Sequence, residues 1–360
     1  MIRRARTLLL SRVMSRRRVP IRFERLGVSA RVSPWTVSLT LLLTLGCVFV
    51  GAWSMTLGVY PISVGEVFLA AVGFPAAPQD TFIIIDLRLP RVLVALFAGG
   101  ALAASGAIFQ ALVRNPLAAP DIIGVNSGAG AVVVLLIVTG APAALIAPGA
   151  FAGAIGAASA VYLLTWRHGI SGARLVLVGI GVNAMLSALI TLMIVRFPVD
   201  RATLAVWWQS GTLHGSDAGD AWLLVGSLAV LLPAGMWLVR SANVLSFGDD
   251  AARGLGLRVE RARFGMLTVG AAMAAVAIAA AGPIGFVALI SPHIARMIAG
   301  SFTAGVLLLS GAIGAAMVLI ADIVAQHAFA FPVPVGILTA AVDAPYFIYL
   351  LARAGRRARS

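Results

Sequence analysis

The chain has 360 residues, 61% of them hydrophobic and only 11% charged, with a formal net charge of +14. A water-soluble domain carries about a quarter charged residues, so this composition excludes a pair of soluble globular domains. The basic residues lie at the termini and between apolar runs, a distribution that argues against a nucleic-acid face and for topology signals and contacts with anionic membrane lipid.

The chain opens on a basic arm, residues 1–34. Its first 31 positions hold ten arginines (Arg3, Arg4, Arg6, Arg12, Arg16, Arg17, Arg18, Arg22, Arg25, Arg31) against Glu24 as the one acid. Such a segment has too little apolar surface to offset the entropy of ordering, so it reads as disordered or as lying on lipid. No A-x-A-like site closes a short apolar core, which argues against a cleavable signal peptide.

A bilayer core about 30 Å thick asks for roughly 20 apolar residues per helix. Ten runs meet or approach this, near 35–57, 90–112, 121–140, 143–166, 174–196, 220–239, 264–281, 284–298, 304–325 and 334–352. Small residues are dense in "GALAASGAIFQAL" and "GAIGAAMVLIAD", which allows close backbone approach. The expected fold is therefore all-α and polytopic, with about ten transmembrane helices in one compact bundle spanning 35–352. An even count places both termini on one side, and their arginines make that side cytoplasmic, including the basic tail 353–360. On this topology only Arg88, Arg91, Arg196 and Arg201 fall outside.

In chain order, "DLRLPRV" opens the second span, with Pro90 expected in its first turn, where a missing N–H costs nothing. Arg88 and Arg91 are three residues apart and are expected to share one side of that turn. Snorkelling to lipid phosphate is the simplest role for either one. The inner loop "RNPLAAPDIIGVNSGA" has Asn115-Pro116 to end one helix and Pro120-Asp121 to start the next. A second inner loop, "RHGISGARLVL", carries Ser171, Gly172 and Ala173, and the residues alone require only a turn there. The Trp207-Trp208 pair and Trp222 sit where an outer aromatic belt is expected.

Residues 240–263 form the longest polar stretch inside the protein. Gly248, Asp249 and Asp250 read as a helix start, and Gly254 and Gly256 as its stop. The intervening Ala251 and Ala252, with an exposed Leu255, make either a solvated connector or a short helix able to press into a partner's groove. Asp322 and Asp343 fall inside the ninth and tenth spans. An acid within the membrane is costly and suggests function: Asp343 would line a path or pair with an arginine, and Asp322 would bond to neighbouring helix backbones.

The four histidines and the single Cys47 show no converging metal-ligand set, so neither a metal site nor a cofactor is expected. Every basic residue is Arg, and a phosphate-binding loop of the G-x-x-x-x-G-K-[ST] type needs Lys. The chain therefore hydrolyses no ATP through such a loop.

These motifs in order resemble the iron-siderophore and cobalamin permease family of ABC importers: "LRLPR", "RNPLAAPDIIGVNSGA", "LSFGDDAARGLGL", "GPIGFVALISPHIAR", "ADIVAQ" and "PVGILTAAVDAPYF". The likeness runs from about 35 to 352 and is strongest to a subunit of the ferric-enterobactin permease. Gln326 stands where many relatives have Arg. The resemblance implies a transport subunit, not an enzyme, in a bacterial cell membrane. Its expected partners are a second permease subunit, identical or homologous, two ABC ATPase subunits, and an extracytoplasmic binding protein that delivers a ferric siderophore, with the catecholate type favoured. It further implies that Arg88 and Arg91 hold acids of the binding protein, that Asp249–Gly256 contacts the ATPase, and that Ser171, Gly172 and Ala173 narrow the cytoplasmic exit. A rival is an ion-gradient-driven carrier using Asp322 or Asp343 at mid-membrane.

Overall fold

The computed structural model describes residues 19–23, 28–58, 60–71, 78–166, 172–342 and 344–346. Two strands, β1 (Val19–Phe23) and β2 (Val28–Val32), pair antiparallel, so part of the basic arm is an ordered hairpin where no regular structure was expected. Every other regular element is helical among the described residues.

The helices are α1 (Pro34–Ser54), α2 (Val64–Ala71), α3 (Pro78–Thr81), a π-helical stretch (Phe82–Arg88), α4 (Leu89–Val113), α5 (Val125–Thr139), α6 (Ile146–Thr165) and α7 (Gly172–Arg196). Next come α8 (Val199–Gln209), α9 (Ala218–Leu245), α10 (Asp249–Gly254), α11 (Val259–Ala281), α12 (Val287–Ala299), α13 (Ala304–His327) and α14 (Val335–Tyr346). Seven helical stretches among the described residues are long and apolar enough to cross a membrane, and α5, α12 and α14 are shorter apolar helices. Together they occupy the ten expected positions.

The bundle is organised around α4, which packs against α9, α11, α12 and α13. Gly106 of α4 lies against the backbone of Ala288, and Gly99 against that of Gly314, where a Cβ would overlap the facing carbonyl. Glycine is required at both positions because the helices meet backbone to backbone. Two polar side chains buried on α4 bond to neighbouring helices: Ser105 Oγ donates to the Gly270 carbonyl at 2.6 Å, and Gln110 Nε2 to the Leu289 carbonyl at 2.9 Å, while Gln110 Oε1 has no partner among the described residues. An unmade bond in a dry interior would cost several kcal/mol, so these contacts fix helix register as well as contributing affinity.

Two local features depart from expectation. The second span does not begin near residue 90: the helical run extends from Gln79 to Val113. Pro90 thus sits within a continuous run, where its ring would crowd the carbonyl four residues before it. The wider π turn over Phe82–Arg88 relieves that crowding, and the Leu89 N–H reaches back to the Ile84 carbonyl. The second feature is α8, which follows Pro198 and has Asp200 in its first turn. It carries Trp207 and Trp208, and buries Ala205 in a cluster with Val134, Val138 and Ile190.

Candidate functional site: two polar clusters at opposite ends of one helix

The first cluster surrounds the head of α4. Arg91 donates to Asp322 of α13 from Nη2 at 2.8 Å and from Nε at 3.0 Å. Gln326, one turn further along α13, donates Nε2 to the same carboxylate at 2.7 Å. Asp322 therefore bonds to two side chains, not to helix backbones as its position suggested. Its side chain is 4% exposed and that of Arg91 22%, so the pair is dry on the acid side and wet on the base side.

Arg88 turns elsewhere. Its guanidinium donates to the carbonyls of Met55, just past α1, and of Tyr60, the latter at 2.7 Å. The cation thereby caps a helix C-terminus, where the dipole and unpaired carbonyls favour positive charge. Tyr60 in turn donates its hydroxyl to Asp80 at 3.0 Å, tying the same loop to α3. Arg88 and Arg91 thus flank the π-to-α junction and engage different elements, where the spacing suggested one shared side. Arg201 behaves like Arg88, donating to the Val138 carbonyl at 2.7 Å near the end of α5. Three of the four arginines expected on the outer face have structural partners. Those partners are carbonyls at two helix ends and one acid.

The second cluster lies at the other end of α4. Positions 91 and 114 are separated by about 35 Å at 1.5 Å per residue, close to the thickness of a bilayer core. Arg114, in the left-handed region at φ 57°, follows the last turn of α4 and comes within 3.9 Å of Asp249. Arg263 of α11 is buried and donates to the same carboxylate at 2.8 Å.

The short α10 has the boundaries the sequence indicated. Gly248 precedes it at φ 99°, and Asp249 and Asp250 occupy its first turn, where anions are favoured. Gly256, at φ +81°, closes it. The Gly256 and Leu257 amides donate back to the Arg253 and Ala252 carbonyls at 2.9 and 3.0 Å. This pair of hydrogen bonds to the last turn is a Schellman stop, which needs a left-handed residue and so glycine. Ala252 is fully buried, anchoring the helix, while Ala251 and Gly254 face out. Leu255 is 70% exposed and Phe247 74%, so two large apolar side chains bracket a charged turn. Phe247 escaped the sequence reading because it precedes the helix start.

The second inner loop places Gly172 at the start of α7, where a Cβ would come within 3.1 Å of the Val113 carbonyl. Gly172 therefore abuts the inner end of α4, the end that carries Arg114 and its contact with Asp249. Ser171 and Asp343 lie outside the described residues.

Comparison with known proteins gives the family. The model of the FecCD transport family matches residues 44–353. The ferric enterobactin transport system permease protein FepG of Escherichia coli (strain K12) is 40% identical over 320 residues, 88% of this chain and 96% of that protein. The probable siderophore transport system permease protein YfhA of Bacillus subtilis (strain 168) is 40% identical over 343 residues, 91% and 97% of the two chains. Among solved structures, a metal-chelate type ABC transporter in an inward-facing conformation superposes with a TM-score of 0.80 at 28% identity, covering 88% of this chain and 99% of that one. With ten apolar helices among the described residues, a family match over most of its length and relatives at 40% identity, the chain belongs to the FecCD transport family and is a multi-pass membrane permease subunit of an ABC importer, not an enzyme.

Proposed function

We propose that this subunit passes a ferric siderophore, of the catecholate type, from an extracytoplasmic binding protein to the cytoplasm, and that two separate ATPase chains drive it. A second permease subunit, identical or homologous, would complete the path. The observation that carries the reading is the placement of the two polar clusters at the ends of α4. One rigid helix runs from the arginines proposed to receive the binding protein to the turn proposed to meet the ATPase. A shift at the inner end would move the outer end without any flexible relay. The exposed Phe247 and Leu255, beside the acids of α10, suit a groove in a partner better than water does. FepG at 40% identity supports the catecholate cargo. Gly172, against the inner end of α4, is proposed to narrow the exit together with its neighbours Ser171 and Ala173. Asp343 is proposed to face the path.

The test is uptake into proteoliposomes holding the complete transporter, with ferric enterobactin, a ferric hydroxamate and cobalamin offered in parallel. The proposal expects ATP-dependent accumulation of the catecholate chelate above the other two. Preference for cobalamin or the hydroxamate would overturn the cargo assignment.

A further inference from the structure

At the outer cluster, Arg91 is gripped by one edge only. Nε and Nη2 face the Asp322 carboxylate, whereas Nη1 donates to no group among the described residues. The guanidinium fork has two usable edges, each suited to a carboxylate. Asp322 is itself held by Gln326 at 2.7 Å, from a side chain that lies exposed one turn along α13. The buried acid thus occupies the inner edge of the arginine, and the partly exposed side chain keeps its other edge open.

We propose that Asp322 and Gln326 are positioning residues, holding Arg91 by its inner edge so that the outer edge is presented, already oriented, to a carboxylate of the docking protein. This rests on the proposed role of Arg91 in receiving the binding protein. An unheld arginine loses side-chain freedom when it is captured, and Asp322 removes much of that cost in advance. Charge alone argues the other way, since Asp322 offsets the attraction that Arg91 exerts on an acidic partner. Geometry and charge therefore predict opposite signs for the loss of the acid.

The experiment measures the affinity of the full transporter in lipid nanodiscs for the binding protein that supports its ATP-driven uptake. The variants are Arg91→Ala, Asp322→Asn, Gln326→Ala and the exchange Arg91→Asp with Asp322→Arg. Positioning predicts weaker docking in Asp322→Asn, by about five- to tenfold, and a smaller loss in Gln326→Ala. It also predicts that the exchange recovers thermal stability without recovering docking. If Arg91→Ala binds like the parent, the docking role itself is wrong. If Arg91→Ala weakens binding while Asp322→Asn and Gln326→Ala bind equally well or more tightly, docking stands and positioning falls. Full docking by the exchanged pair would also overturn positioning, since the pair would then be purely structural. Should Asp322→Asn fail to assemble, the exposed Gln326→Ala and the exchange decide the matter.

Discussion

Arg91 at the head of α4 and Asp322 near the end of α13 lie 231 positions apart in the chain and meet in a two-point ion pair at 2.8 Å. The pair staples the central helix to the neighbour with which it shares the Gly99–Gly314 contact. Removing one partner leaves a poorly hydrated charge, which is more costly than never having had the pair. Asp322→Ala is expected to lower the unfolding free energy by about 2–3 kcal/mol, below the fully buried range because Arg91 reaches water. Thermal unfolding in detergent reads this directly. An unchanged midpoint would show that the pair contributes nothing.

Arg88 holds a loop in place. Replacing it by alanine frees the carbonyls of Met55 and Tyr60 and should open the 55–60 region locally. Faster hydrogen exchange or proteolysis is expected there, with a global loss of about 1–2 kcal/mol or less. Protection in that loop equal to the parent's would contradict the capping role.

Close packing makes a sharper prediction. Gly106→Ala puts a methyl into the Ala288 backbone, so the helices must part or the fold is lost. The yield of folded protein should collapse, by a penalty above about 3 kcal/mol. Gly156→Ala, at a helical glycine with nothing within 4 Å of the added Cβ, should be neutral or stabilise by under about 1 kcal/mol. Size-exclusion profiles of the two variants provide the comparison.

At the inner cluster, stability and docking separate. Asp249→Ala removes the 2.8 Å charge-assisted bond to the buried Arg263 and should destabilise the chain by about 1.5–3 kcal/mol. Leu255→Arg and Phe247→Glu change exposed side chains and should alter stability by less than about 0.5 kcal/mol. Those two should nonetheless reduce co-purification with the ATPase. Intact co-purification in both would remove the inner docking surface from the account.

The span pattern was legible in the sequence because hydrophobic length is a local property set by the bilayer. So were the limits of α10, since Gly248 and Gly256 announce its start and stop through backbone geometry. What escaped depends on distant partners or competing local forces. No spacing rule links residue 91 to residue 322, and Arg263 is one cytoplasmic-side arginine among many in the sequence, its pairing with Asp249 being set by the fold. The early start of the second span was hidden by Pro90, a strong helix-start signal that a π turn accommodates inside a longer helix. The ordered hairpin in the basic arm came from strand pairing, which composition does not register.

On the proposed function, α4 joins an outer docking site to an inner ATPase site in a transporter driven by ATP. Uptake of ferric enterobactin by proteoliposomes holding the complete transporter, compared between the parent and Leu255→Arg, tests it most directly. ATP-dependent uptake is expected in the parent, indifferent to imposed proton or sodium gradients, and its loss in Leu255→Arg with the variant still folded. Uptake that follows an ion gradient without ATP, or that survives Leu255→Arg undiminished, would contradict it.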